Sequence, residues 1–157
     1  MTRPLRVRPY RSEDLQAAIE VFQRAVHEVA SRDYAPEEID AWAPEPPDVA
    51  FWRERLASGN VWVCEVDGRV AGFTRVEDDG YVDLVFVHPD FQRRGVASAL
   101  FAEVLAWASA KGVKCLFTES SRSARAFFEA KGFRVVRPQH VQRNRVQLEN
   151  FVMERAA

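Results

Sequence analysis

The chain has 157 residues, 47% of them apolar, which suits one compact domain of roughly 15 Å radius of gyration with a real core and leaves no room for a second, so residues 1–157 read as a single domain. Its 22 basic and 23 acidic side chains leave a formal charge of −1, and no overall field favours nucleic acid or an anionic membrane surface. The opening residues lack the apolar stretch of a secretory signal and no later run approaches the roughly 20 apolar residues of a membrane span, which predicts a cytoplasmic protein.

Leu5 to Pro9 reads as a strand, and Ser12 as the N-cap of a helix in which Leu15, Ala18, Ile19, Phe22, Ala25, Val26 and Val29 recur at helical spacing. A Pro-broken stretch follows, with a helix from Pro36 to about Trp42, the breaker run Pro44-Glu45-Pro46-Pro47, and a helix over about 48–57 closed by Gly59. The period then becomes that of strands, at 61–66, 69–76 and 81–87, joined by turns at Asp67-Gly68 and Asp78-Asp79-Gly80. After His88-Pro89 come a loop, a helix over about 96–110, a strand at 113–119, a helix over about 123–131 ending at Gly132, and strands around 133–138 and 146–153. Strand 81–87, its helix and strand 113–119 form a right-handed crossover, so these two strands are parallel neighbours. The expected fold is mixed α/β, a mostly antiparallel sheet of six to seven strands flanked by helices. Cys64 and Cys115 each sit in an apolar run, which predicts buried thiols rather than a disulfide or a metal site.

The loop of the crossover, Phe91-Gln92-Arg93-Arg94-Gly95-Val96-Ala97-Ser98, is the place to look for a ligand. Gly95 lets backbone N–H groups approach it, Ala97 keeps the helix start slim, and the unpaired donors of the first turn suit a pyrophosphate. Arg93 and Arg94 add fixed charge and Ser98 a hydroxyl; the ordinary alternative is a solvated loop. Neither the P-loop pattern nor the GxGxxG dinucleotide pattern is present.

The segment Gln92-Arg93-Arg94-Gly95-Val96-Ala97, preceded by Val87-His88-Pro89, resembles the acetyl-CoA motif of the GNAT acetyltransferase superfamily: Arg or Gln, two residues, Gly, one residue, Gly or Ala. Arg8-Pro9-Tyr10-Arg11 before Asp14-Leu15 is similar to that family's opening strand and helix, and the run from Ala124 to Phe133 to its second cofactor motif. The likeness covers nearly the whole chain. Tyr34-Ala35-Pro36-Glu37, Ala41-Trp42-Ala43 and Asn150-Phe151-Val152-Met153 further resemble the YafP-like branch of bacterial GNAT proteins.

The resemblance implies acetyl-CoA as co-substrate and no metal. Leu84, Val85, Phe86 and Val87 would line the acyl and pantetheine arm through backbone groups, Gln92, Arg93, Arg94, Gly95, Val96, Ala97 and Ser98 would hold the pyrophosphate, and Ser121, Phe127 and Phe128 would complete the cofactor wall. A backbone N–H near Phe86 or Val87 would donate to the thioester oxygen, and such donors are usually the largest catalytic contribution. An amine with a lysine-like pKa is only about one part in 2,500 neutral at pH 7, so a base is needed. Among Asp83, Glu119, Glu77, His88 and His27, the favoured groups are Glu119 and Asp83; the bland alternatives are a paired strand residue for Asp83 and a helix cap for Glu119. The family's general-acid tyrosine is Phe128 here, which has no proton to donate. A thiol of pKa near 8.5 departs readily as thiolate, so transfer survives that loss; Tyr81, Tyr34 and Ser121 are unranked replacements.

Between Asp33 and Trp52 lie six acidic residues, Tyr34, Trp42, Phe51 and Trp52, and no Lys or Arg. Carboxylates beside aromatic faces suit a cationic amine, which marks His27, Tyr34, Trp42 and Trp52 as acceptor-binding; the competing account is helix first turns and ordinary packing. The arginines after Ser121 read as a solvated rim or as contacts to CoA phosphates. The sequence thus predicts an acetyl-CoA-dependent N-acetyltransferase acting by direct attack on a small primary amine, with a non-catalytic acyl-CoA-binding module as the alternative and a pure interaction domain as a third. The last strand is expected at a sheet edge, where a second copy can pair as a homodimer.

Overall fold

The chain folds into β1 (Leu5–Pro9), α1 (Leu15–Glu28), α2 (Pro36–Trp42), α3 (Val49–Leu56), β2 (Asn60–Val66), β3 (Arg69–Val76), β4 (Tyr81–Val87), α4 (Val96–Lys111), β5 (Cys115–Ser120), α5 (Arg125–Ala130), β6 (Arg134–Arg143) and β7 (Val146–Ala156). The structure is a computed structural model that describes residues 4–157; Met1-Thr2-Arg3 of the expected 1–157 domain lie outside the described residues. Seven strands form one sheet in the order β1-β2-β3-β4-β5-β7-β6. Every neighbouring pair is antiparallel except β4 and β5.

The apolar stripe of α1 is buried against Val63, Phe73 and Leu148 of the sheet, together with Ile39 of α2 and Trp52 of α3. On the opposite face Phe101 and Val104 of α4 and Phe128 of α5 pack on Val82, Leu116 and Met153. Helices cover both faces of the middle of the sheet, so the ends of its central strands are where a ligand gains entry.

Ser12 does not cap α1. Residues Ser12–Asp14 form a 3-10 turn, and the Asp14 carboxylate accepts the Arg11 N–H at 2.8 Å. Arg8 donates to the same carboxylate from Nη1 at 2.8 Å and from Nη2 at 2.9 Å, and to Glu65 Oε1 at 2.8 Å. The Arg8 guanidinium thus ties the α1 entry to β1 and β2, and no side chain caps α1.

Two other expectations change. The last strand, β7, lies between β5 and β6, because the β6–β7 hairpin returns to the inside of the sheet; β6, broken by a register shift between Val135 and Arg137, is the edge. Cys64 is buried but Cys115 is exposed, since it precedes Leu116 on β5 and so faces away from the core side.

Arg8 holds the Asp14 carboxyl below its ordinary range, against the upward push of burial. Its stabilisation is therefore complete above the unfolded carboxyl pKa, near 3.9, and is lost as pH falls through the lower folded value. Asp14→Ala should lower stability by about 3 kcal/mol in urea melts at pH 7, and the gap from wild type should close in strong acid.

Candidate active site

β4 and β5 pair only at Tyr81 with Phe117 and Val82 with Thr118, after which the strands part. The His88 N–H donates to Ala71 O at 2.8 Å, and the β3–β4 register runs unbroken from Val87 to Leu84. By alternation His88, Phe86 and Leu84 turn their peptide groups to β3, while Val87 and Val85 turn theirs to the gap. The gap-facing donor is thus Val87 or Val85; Phe86, paired with Val87 in the sequence expectation, directs its own N–H to β3.

Two cavities meet at this gap. One, of about 330 Å³, is lined by Val85, Phe86, Val87, Gln92, Arg93, Gly95, Val96, Ala97, Ser98, Phe127 and Phe128 among others. The other, of about 630 Å³, has Tyr81, Asp83, Leu84, Glu119 and Asn150 of the sheet on one side and Phe22, Trp42, Trp52 and Arg55 of the helices on the other. Trp42, Val85, Phe86, Ser121, Ala124 and Phe128 line both.

The far end of the smaller cavity is built to receive an anion. Gly95, the N-cap of α4, has φ 79°, Arg93 has φ 61°, and no side chain caps the helix. Left-handed residues interspersed in this way turn N–H groups to one side, and the first turn of a 16-residue helix adds its unpaired donors there. A Cβ at position 95 would meet only Leu5 Cδ1 at 3.8 Å, so backbone conformation rather than space demands the glycine. Arg94 is outside the wall and lies over the Phe91 ring, 5.7 Å from its centroid.

The acetyltransferase (GNAT) domain model matches residues 30–155. The chain belongs to the GNAT acetyltransferases. It is 37% identical over 150 residues, 95% of this chain and 94% of the relative, to the uncharacterized N-acetyltransferase YafP of Escherichia coli (strain K12), and so falls in the YafP-like branch of N-acetyltransferases. A GCN5-related N-acetyltransferase from Rhodopseudomonas palustris matches with TM-score 0.93 and 27% identity over 100% of this chain and 97% of its own. The PaiA N-acetyltransferase of Thermoplasma acidophilum, solved in complex with coenzyme A, shares the fold with TM-score 0.78 and 17% identity, covering 98% of this chain and 99% of its own.

In this acetyltransferase the two favoured carboxylates stand in different surroundings. Asp83, with its side chain 8% exposed, lies 2.6 Å from Arg55 Nη2 and 3.0 Å from Arg75 Nη1. Arg75, 3% exposed, also donates to Glu77 Oε1 at 2.6 Å and to the Arg55 and Ser58 carbonyls at 3.0 Å, fastening the end of α3 to the sheet. Glu119 is exposed and, among the described residues, accepts only from Tyr81 Oη, at 3.4 Å. Burial pushes the Tyr81 hydroxyl well above its ordinary range, and the charges of Glu119 and Asp83 add to this, so it stays a donor. Glu119 does not cap the following turn; Ser121 Oγ does, accepting from Ala124 N at 3.1 Å.

Other expected residues are placed elsewhere. Glu77 and His88 line neither cavity, and His88 braces the turn by accepting the Asp90 N–H on Nδ1 at 3.1 Å. His27 is also outside both cavities: its Nε2 donates to Ala43 O at 2.7 Å, because a carbonyl can only accept, and ties α1 to the proline-rich loop. Tyr34 lines the larger cavity, yet its hydroxyl donates to Glu149 O at 2.6 Å and accepts from Arg122 N at 3.0 Å. Trp52 is buried against Phe22, with ring centroids 4.6 Å apart. Leu84 lines the larger cavity, not the smaller one expected for it.

Of the six acidic residues between Asp33 and Trp52, only Asp48 reaches the cavity wall, and its side chain caps α3 by accepting the Phe51 N–H at 3.0 Å. Glu38 instead accepts from Ala35 N at 2.7 Å and Asp33 from Ser123 Oγ at 2.8 Å. Arg122 and Arg134, from the expected basic rim, pair with Glu149 and Glu154. The place of Arg55, Arg75, Asn150 and the β6–β7 hairpin in the site escaped the sequence reading. Arg75 had a signal, since it falls in step with the inward Phe73; the hairpin had none, because its place depends on β7 inserting beside β5.

Gly95→Val should weaken coenzyme A binding at least about tenfold by calorimetry, with a stability loss of about 1–2 kcal/mol from the left-handed φ. Undiminished affinity would remove this loop from the site.

Proposed function

We propose that the chain transfers the acetyl group of acetyl-CoA directly to a small cationic primary amine, as a single cytoplasmic domain, without metal or covalent enzyme intermediate. The observation that supports this is the meeting of the two cavities at a gap that holds unpaired backbone groups on one side and Glu119 on the other. The smaller cavity fits a thioester carrying a diphosphate: apolar walls along Val85 to Val87, and uncapped helix donors at Gly95. Val87 or Val85 N–H is aligned to stabilise the developing oxyanion.

Glu119 is the base, directly or through water. Asp83 is the weaker choice, because protonating it would break ion pairs to two guanidiniums at once; it serves to position Arg55. Ser121 is the hydroxyl best placed for the departing thiolate. It lines both cavities, its oxygen accepts from Ala124 N, and its own proton has no acceptor among the described residues. Tyr34 is occupied at both ends. Phe128 removes the family's acid from α5, but a thiolate needs only a hydrogen bond, which favours the enzyme over the non-catalytic module.

The larger cavity carries Asp48, Asp83, Glu119 and Glu149 against Arg55 and Arg143, with Trp42, Phe51 and Tyr81 among its aromatic walls, and this balance favours a cation. Both cysteines are free, as suits a reducing compartment.

Purified protein with acetyl-CoA should acetylate members of a panel of polyamines, aminoglycosides and amino-acid amides, with a rate that climbs toward the acceptor pKa; turnover confined to anionic acceptors would refute the acceptor class. Glu119→Gln should lower kcat by about 100- to 10,000-fold with coenzyme A affinity unchanged, and Ser121→Ala by about tenfold.

A further inference from the structure

Asn150 lines the larger cavity and is 8% exposed, yet its carboxamide makes no side-chain hydrogen bond among the described residues, and its Oδ1 is buried without a partner. A buried amide left unpaired is unfavourable enough that native structures seldom keep one without a reason. β5 and β7 run antiparallel with Glu119 opposite Val152 and Ser120 opposite Phe151, in unbroken register. Asn150 is two residues along β7 from Val152 and therefore projects from the same face as Glu119, on the diagonal, with the Cβ atoms somewhat less than about 7–8 Å apart. Both residues line the larger cavity.

We propose that Asn150 is a specificity-determining residue of the acceptor site, whose Oδ1 accepts the second N–H of the attacking primary amine. This rests on the amine acetyltransfer proposed above. A neutral primary amine that turns its lone pair to the thioester carbonyl has two N–H bonds: one directs its proton to Glu119, and the other needs an acceptor, which Asn150 supplies. A hydroxyl has only one such proton, and an N-methylated amine would set a methyl group against an unpaired oxygen. The site thereby selects primary amines.

One rival use of the same carboxamide is visible. Gln139 is directly opposite Asn150 on β6, and its Nε2 is likewise buried and unpartnered, although Gln139 does not line the cavity. If the two amides close on each other, the pair is structural and has no part in selection.

Asn150→Leu keeps the shape and removes a polar group that has no partner, so its melting temperature should match or exceed that of wild type. Its kcat/KM for the best primary amine of the panel should fall about 2- to 13-fold, the worth of a hydrogen bond between neutral groups, while KM for acetyl-CoA holds and the preference over the N-methylated counterpart narrows. Asn150→Asp, which retains the oxygen, should keep that preference, and it serves if the leucine variant does not fold. Gln139→Ala should leave it unchanged. An unaltered preference in Asn150→Leu, a preference lost in Asn150→Asp, or equal destabilisation by Asn150→Leu and Gln139→Ala with selectivity intact would each overturn the inference. Wild-type protein inert toward every amine would sink the proposed function itself, a result separable from all of these.

Discussion

The separation of β4 from β5 after two residue pairs is the constraint on which the site depends. A register shift between Arg75 and Val76 bends β4 along β3 and away from β5, since an irregular pairing kinks the strand and increases its twist. β5 meanwhile stays paired to β7 through all six of its residues. Peptide groups of Val85 and Val87 are left without a strand partner, and in an interior they must find one. A cleft lined by such groups is polar along one edge and apolar elsewhere, which suits a ligand that is mostly hydrocarbon with one carbonyl to anchor. Because α4 begins one short loop after β4, the same bend brings the uncapped helix start into line with the cleft.

The face of the sheet toward α1 and α3 shows how position alone gives two carboxylates different work. Asp83 and Glu119 both line the larger cavity. Asp83 shares its buried site with Arg75 and Arg55 and is committed to holding them. Glu119, one strand further on, is met among the described residues only by the Tyr81 hydroxyl, a neutral donor that orients the carboxylate without neutralising it. Two similar acids pushed into unlike environments are the usual way a protein divides structural from proton-transfer duty. Arg75 is the keystone of the first: by donating to Arg55 O and Ser58 O as well as to Asp83, it sets where α3, and hence the wall carrying Trp52 and Arg55, rests on the sheet.

What could be read from the chain beforehand follows the range of the interaction involved. Strands β2, β3 and β4 and helices α1, α2 and α4 announce themselves through local periodicity and turn residues, and the structure finds them within a residue or two. Gly95 was legible because a left-handed N-cap is a local property of one residue. Ser12 misled because Ser12–Asp14 wind into a 3-10 turn ahead of α1, with the Asp14 carboxylate held by Arg8 of β1 and by the Arg11 N–H. The acidic run from Asp33 to Asp48 misled in the same way: all six of its members are exposed or cap helices, only Asp48 reaches the cavity wall, and the other carboxylates there, Asp83, Glu119 and Glu149, are distant in sequence. Asn150 and the edge position of β6 depend on strand order, which no local pattern encodes.

Phe128 stands where the family resemblance implies a general-acid tyrosine, and its packing bears on more than the proton. Phe128 is buried, 5.0 Å from the Phe133 ring and 5.4 Å from that of Phe127, and a hydroxyl there would need its own partner. With the helix committed to packing, the hydroxyl that lines both cavities is that of Ser121, in the turn that leads into α5. That turn is held from the acceptor side: Arg122 N donates to Tyr34 Oη, the Arg122 guanidinium donates to Asp33 O at 2.8 Å and lies 4.8 Å from the Tyr34 ring centroid, and Ser123 Oγ donates to Asp33. The segment between α1 and α2, which walls the larger cavity, therefore also fixes where the Ser121 hydroxyl sits. Under the proposed function, contact of an acceptor with Tyr34 and Trp42 would thus be mechanically joined through Arg122 to the donor at the departing sulfur, an arrangement that a donor carried on the rigid helix would not produce.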